Sequence, residues 1–422
     1  MSSDASPTRM TTPSDNPVAF GQRVQIYRNR RGMTREQLAG LLGHHTSWVK
    51  KIETGTMRMP RLPEILRIAE VLHVRRLNDL VGDVGAEPHT DLFLGPGHDR
   101  LPAVRAALSS FPAPSSRQAP SVAYLRAALD AAWSARHGAP NHREVIGGLL
   151  PGLIRDARLA VREADTTAAR RSAQAIQAEV YFLAQFFVAY QPDPSLLWRV
   201  SERGMIAAQE SEDPHAIGVA AWLAAQAHRD SGPGHYDAAD TVVMDALRVL
   251  EPTVSGAPLD VQAIVGALKF EAGFTAAKRR DSGTAWGWWD RADRVAQRLP
   301  GGYFHRVTSF GRAVMGAHGV TVAVELRSGG ESVRQANRAE AAAIPSRPRR
   351  ARHRIEQARA YYLDGRHETA LTTLEQAHAA APETIRYNGY ARSIVLEEST
   401  SRTPGRRQRA SRLAVEIGLT AA

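Results

Sequence analysis

Apolar positions recur with a helical period along almost the whole chain, and no stretch sustains the two-residue alternation of a strand. The tightest pattern runs from Met33 to Arg61. Thr34 opens it as an N-cap with Gln37 three residues on, a capping box that satisfies amides otherwise left open at a helix start. Leu38, Ala39, Leu41 and Leu42 follow, and Gly43 supplies the left-handed backbone that a sharp turn needs. A second helix is expected from near His45 to about Glu53, ending before Gly55. Trp48, Val49 and Ile52 share one of its faces and must pack on the first helix, which leaves Thr46, Ser47, Lys50 and Lys51 on the other. Ahead of this pair a helix turns Phe20, Val24 and Tyr27 inward, with Arg23, Arg28, Arg30 and Arg31 around them. Behind it, Leu62 to Leu72 and a short helix ending near Val81 close a five-helix core spanning 17–82.

The flanking composition sets the other boundaries. Residues 1–16 are rich in Ser, Thr, Asp and Pro with almost nothing to bury, and read as a disordered tail. From 83 to 120 the prolines at 88, 96, 102, 112, 114 and 120 break any long helix, so this stretch reads as a linker with room for a short helix around Val104 to Leu108. Residues 121–400 are Ala-rich and helical, with breaks roughly every 15 to 25 residues at Gly, Pro or Asp. Segments 121–137, 142–163, 166–190, 194–210 and 214–230 each supply a helix. Residues 401–422 form a basic tail, with Arg402, Arg406, Arg407, Arg409 and Arg412, that ends in a short apolar helix, Leu413 to Leu419. The fold class is all-α.

Charge sharpens the picture at the N-terminus. Lys plus Arg exceed Asp plus Glu by 11 over 422 residues, and Val18 to Gly82 alone holds 12 basic and 5 acidic residues. Concentrating the surplus there suits a polyanion partner, whose affinity comes largely from neutralised phosphates and released counterions. A helix with short hydrogen-bonding groups at its start and lysines along one side fits the major groove of duplex DNA. The chain has no cysteine, which excludes disulfides, thiolate nucleophiles and sulfur-based zinc sites. No stretch approaches the roughly 18 apolar residues of a membrane span, and no apolar export segment opens the chain, so a cytoplasmic protein is expected.

The residues GMTREQLAGLLG, HHTSWVKKIETG and RMPRLPEILRIAEVL resemble the lambda-repressor-like (XRE/Cro) helix-turn-helix DNA-binding domain. The resemblance implies that His45, Thr46, Ser47 and Lys51 face base edges. It also implies that Lys50, Thr54, Arg58 and Arg61 contact phosphates, that Arg35 lies near a phosphate, and that Arg28 pairs with Glu53. One departure is the turn: the family has an apolar residue and then a small hydroxyl where this chain has His44 and His45. Either the cap is supplied less well, or a histidine has moved to the groove.

Farther on, Ala358, Tyr361, Gly365, Ala370, Ala377 and Pro382 have the spacing of a tetratricopeptide repeat. Gly234, Tyr236, Ala239 and Ala246 repeat it in part, and Gly273, Ala285 and Ala292 give a degenerate copy, for about six helix pairs in a TPR-like α-solenoid. Small residues at these positions let paired helices approach closely. This architecture is similar to peptide-responsive quorum-sensing regulators, which grip peptide backbone with asparagines on inner helices. Beyond Ser121 this chain offers only Asn141, Asn337 and Asn388. ARAYYLDGRHETAL, from Ala358 to Leu371, also resembles the closing motif of actinobacterial regulators of this architecture.

No HExxH pair, phosphate loop or nucleophile elbow occurs, so neither cofactor, metal site nor enzyme activity is expected. Tyr181, Phe182, Phe186, Phe187 and Tyr190 read as core. Trp286, Trp288 and Trp289 cannot all face one way on a helix, and stand as candidates for ligand contact as well as for core. The reading is a homodimeric transcriptional regulator with a double-stranded DNA operator as partner and a peptide or small-molecule effector. The alternative is a TPR scaffold acting through protein contacts.

Overall fold

The computed structural model describes residues 17–57, 59–74, 77–81, 97–110, 118–339 and 344–419, which form helices, turns and loops. The chain divides into two compact units, Met1–Leu92 and Phe93–Ala422. The expected tail 1–16 lies outside the described residues.

The first unit holds α1 (Pro17–Arg30), α2 (Arg35–Leu42), α3 (Thr46–Glu53), α4 (Leu62–Val71) and α5 (Asn78–Val81). The capping box at Thr34 is formed in both directions, and Gly43 ends α2 in the left-handed region at φ 72°. Phe20 and Val24 from α1, Leu38 and Leu42 from α2, Val49 and Ile52 from α3, and Ile68 and Leu72 share one core. Arg28 is buried within this unit. Gly21 lets α1 cross the end of α3 in backbone contact. A Cβ there would lie 2.1 Å from the Ile52 carbonyl oxygen and 2.9 Å from that of Glu53.

The second unit opens with α6 (Leu101–Ser109). Its Leu101, Val104, Ala107 and Leu108 are buried, and its last carbonyls accept from Arg158 and Arg203. The stretch expected as linker therefore contains a helix built into the array. Pro102 does not prevent this, because proline is tolerated in the first helical turn, where its missing N–H costs no bond.

Twelve helices follow as six antiparallel pairs: α7 (Val122–Gly138) with α8 (His142–Arg162), α9 (Thr167–Val188) with α10 (Pro194–Ser211), α11 (Pro214–Asp230) with α12 (Tyr236–Leu250), α13 (Leu259–Lys278) with α14 (Ser282–Arg298), α15 (Arg312–Glu325) with α16 (Gly329–Arg338), and α17 (Arg347–Leu363) with α18 (His367–Ala380). Each packs on the next, and the first helix of each pair also packs on the first helix of the following pair, the pattern of a TPR-like array. Ala358, Ala370 and Ala377 are fully buried where the last pair closes, and Gly365 turns it at φ 77°. The array closes: α17 packs back on α7, and His137 at the end of α7 hydrogen-bonds Ser346 and the Arg306 carbonyl.

Three short elements, α19 (Pro382–Arg386), α20 (Gly389–Glu398) and α21 (Pro404–Glu416), complete the unit. The last helix begins nine residues before the expected Leu413 and takes in most of the basic tail. Leu413, Ala414 and Ile417 are buried, and Arg409 pairs with Glu368 and Glu375 of α18, so part of that basic charge is neutralised within the unit.

Replacing Gly21 with Ala should destabilise the first unit by roughly 1–3 kcal/mol, since the added methyl meets backbone that cannot rotate away. Hydrogen exchange should quicken about tenfold or more in residues 17–81 and stay unchanged in the array. Unchanged protection in both units would contradict this packing.

Candidate nucleic-acid interface

The geometry of the first unit is set around Glu53, whose side chain has no exposed surface. A carboxylate in that position must find donors, because a buried unpaired charge costs several kcal/mol. Its two oxygens receive Arg28 Nε at 2.5 Å and Nη2 at 3.2 Å from α1, and Arg35 Nε at 2.6 Å from α2. Arg28 Nη1 also donates to the Met33 carbonyl at 2.6 Å, tying the α1–α2 connection into the same cluster. The pair implied by the resemblance is present. Arg35 is a second donor that sequence reasoning missed, because 18 residues and a turn separate it from Glu53. It remains partly exposed at the first residue of α2, where the helix N-terminus also favours an anion.

The two histidines of the turn have separate duties. His45 precedes α3 in an extended conformation, and its Nδ1 accepts from the Ser47 amide at 3.4 Å, a long cap. A nitrogen accepting there leaves Nε2–H as the ring's donor. His44 stacks on Trp48 with ring centroids 3.9 Å apart and 8° between planes, and its Nε2 lies 3.1 Å from a Glu64 carboxylate oxygen. It joins α3 to α4.

With Val49, Ile52 and Glu53 buried, the opposite side of α3 is fixed. Ser47, Lys50, Lys51 and Thr54 are exposed and Thr46 half-buried, at spacings that keep them on one side of the helix. Eight residues give α3 a length of about 12 Å, comparable with the width of the major groove. The Thr54 hydroxyl donates to the Lys50 carbonyl at 2.9 Å, which holds it at the helix end. Arg61 is exposed ahead of α4 and makes no capping bond. Arg58 lies outside the described residues.

The geometry is that of two helices joined by a tight glycine turn, the second held by its buried face. A family model described as a helix-turn-helix domain matches residues 19–78. Those residues are a helix-turn-helix domain of the XRE-like kind. No curated protein sequence matches the chain. Among solved structures, PlcR of Bacillus thuringiensis in complex with the peptide PapR7 and DNA is 13% identical over 87% of this chain and 99% of its own, with a TM-score of 0.28. Apo ComR of S. thermophilus is 10% identical over 87% and 97%, with a TM-score of 0.26, and ComR of Streptococcus suis 13% over 86% and 96%, with 0.23. At these scores the architecture rests on the chain's own helix packing.

Outside the helix-turn-helix domain, Trp286, Trp288 and Trp289 are half-buried where α14 meets its neighbours. Trp288 lies against Gly273 of α13, Trp289 Nε1 donates to the Met315 carbonyl of α15 at 3.2 Å, and Trp286 meets Trp289 edge-on at 5.8 Å. Of the aromatic run in α9, Tyr181, Phe182 and Phe187 are buried as expected. Phe186 is only half-buried, and Tyr190, just past the helix, is 43% exposed. Asn337 accepts from the Tyr361 hydroxyl at 2.9 Å and Asn388 caps α20, so both side chains serve local structure. Among the described residues no three His, Asp or Glu are grouped to hold a metal ion, and no helix is long and apolar enough to cross a membrane.

Glu53→Ala leaves Arg28 buried without its partner and should cost about 3–5 kcal/mol in the helix-turn-helix domain. Denaturant unfolding followed by Trp48 fluorescence in a chain whose other tryptophans are replaced by phenylalanine reads that domain alone. A loss below about 1 kcal/mol would contradict the organising role given to Glu53.

Proposed function

We propose that the chain is a sequence-specific transcriptional regulator that binds operator DNA as a homodimer and receives a small-molecule or peptide signal through the TPR-like array. The observation that carries this reading is the exposed polar and cationic side of α3, held outward by the buried Glu53 cluster. His45 Nε2–H, Thr46, Ser47 and Lys51 would present hydrogen-bonding groups to base edges. Lys50, Thr54, Arg61 and Arg35 would sit against phosphates, as would Arg58. Two copies would read half-sites about 34 Å apart, one helical turn.

The division of labour along α3 gives the test. A preferred duplex is first selected from a random pool with the full chain, then measured by fluorescence anisotropy against unrelated duplexes. Lys51→Ala should lower affinity for the preferred duplex about tenfold or more and alter base preference at one or two positions, as expected for loss of a base contact. Lys50→Ala should weaken all duplexes alike and reduce the magnitude of the salt slope by about one. Identical behaviour of the two variants would contradict the assignment of roles. A wild-type chain with no preferred duplex would contradict the reading as a whole.

A further inference from the structure

The first helices of the six pairs form a closed ring, α7 to α17 and back to α7, and a layer of aromatic and charged side chains joins them. The Arg136 guanidinium lies 4.1 Å from the Phe186 ring centroid, and Phe186 meets Trp222 at 6.3 Å. On the other side of the ring Phe270 stacks on His318 at 3.5 Å, and His318 Nδ1 accepts from Arg349 Nη2 at 3.1 Å. The circuit closes where α17 packs on α7 and Ser346 hydrogen-bonds His137 at 2.9 Å, which brings Arg349 close enough to Arg136 to disfavour its charge.

Most cations in this layer have a carboxylate. Arg229 pairs with Glu271, Lys278 with Glu325 at 3.1 Å, Arg352 with Glu356 at 3.0 Å, and Arg359 with both Glu325 and Glu356. Neither Arg136 nor Arg349 forms an ion pair among the described residues, although Glu356 lies within electrostatic reach of Arg349. Arg136 Nε and Nη1 and Arg349 Nε are sealed from solvent without any hydrogen-bond partner. Burial, reinforced by Arg143 and Arg349, pulls Arg136 down to about 9; burial, reinforced by Arg352, pulls Arg349 down to about 10. Both still carry their charge at neutral pH. Tyr190 stands nearby in a left-handed conformation, φ 65°, which costs a non-glycine residue energy, and its hydroxyl is in electrostatic reach of Arg143, Arg349 and Arg352.

An open cleft elsewhere in the unit differs from this layer. That cleft, of about 540 Å³, is lined by Arg126, Asp130, Glu179, His215, Asp260 and Arg306. Its arginines are already answered: Arg306 by Asp130 and Glu179, and Arg126 by Glu179. Unanswered donors occur instead at Arg136 and Arg349. Leaving such donors unsatisfied is costly, the more so when they are charged, so an array built only for stability would not keep them.

We infer that Arg136 and Arg349 form a receptor for an oxyanion, the carboxylate or phosphate group of a small organic ligand whose apolar part packs on Phe186 and Trp222. The planar guanidinium forks suit both groups. As the identity of the signal, this inference rests on the proposal that the array receives one; as a binding site, it can be tested without DNA.

The test uses the full chain, calorimetry and thermal unfolding, with benzoate and phenyl phosphate as probes and benzyl alcohol as the neutral counterpart. At least one of the two anions should bind and raise the melting temperature by a few degrees, and which one binds identifies the group. Benzyl alcohol should not bind. Arg136→Gln and Arg349→Gln should each weaken binding about tenfold or more while leaving the unliganded melting temperature unchanged or higher, because an uncompensated cation has been removed. Arg136→Lys should bind with intermediate affinity. Absence of binding by either anion, equal binding by the Gln variants, or a fall of several degrees in their unliganded melting temperature would overturn the receptor. DNA selectivity measured on the same variants separates the outcomes, since a failed receptor with intact operator preference leaves the regulator standing.

Discussion

A single carboxylate without solvent contact governs what the first unit can present. Glu53 sits on the buried side of α3 and draws donors from α1 and α2, so rotation of α3 about its axis would strand a charge. Close backbone approach at Gly21 fixes the same helix in translation. Between them these constraints dictate that Ser47, Lys50, Lys51 and Thr54 face outward. The outward polar and cationic surface thus depends on an interaction on the opposite side of the helix, which orients it in advance of any partner.

Much of this was legible because it is local. The Thr34 capping box, the left-handed Gly43 and the face of Trp48, Val49 and Ile52 are short-range patterns, and the structure reproduces them within a residue or two. The second-unit helices from Val122 to Asp230 were similarly marked by proline, glycine and aspartate punctuation. What escaped was non-local. Arg35 reaches Glu53 across two helices, a contact that no spacing signals. A short helix around Val104 to Leu108 was expected, but not that Leu101–Ser109 belongs to the array, because that follows from packing on α8, with Arg158 and Arg203 on its carbonyls. Phe186 and Tyr190 looked like core in a run of aromatics, and only closure of the ring shows which of that run it leaves partly open.

The two units manage buried charge differently. In the helix-turn-helix domain Glu53 is answered by two arginines, which is a structural solution. In the array the small residues at Ala358, Ala370 and Ala377 let the last pair close tightly, while the inner layer retains Arg136 and Arg349 with donors unmet. Neutralised pairs such as Lys278 with Glu325 hold that layer together. The pairs that hold the layer together and the donors left unmet thus belong to different residues of one ring.

We propose that the outward side of α3 enters a major groove. Dimethyl sulfate footprinting of the full chain on a duplex it has selected tests this directly, because the reagent methylates guanine N7 on the major-groove edge and adenine N3 in the minor groove. Guanine N7 should be protected in two short clusters about one helical turn apart, with adenine N3 within those clusters still reactive. Unprotected guanines, or protection confined to adenine N3, would contradict it.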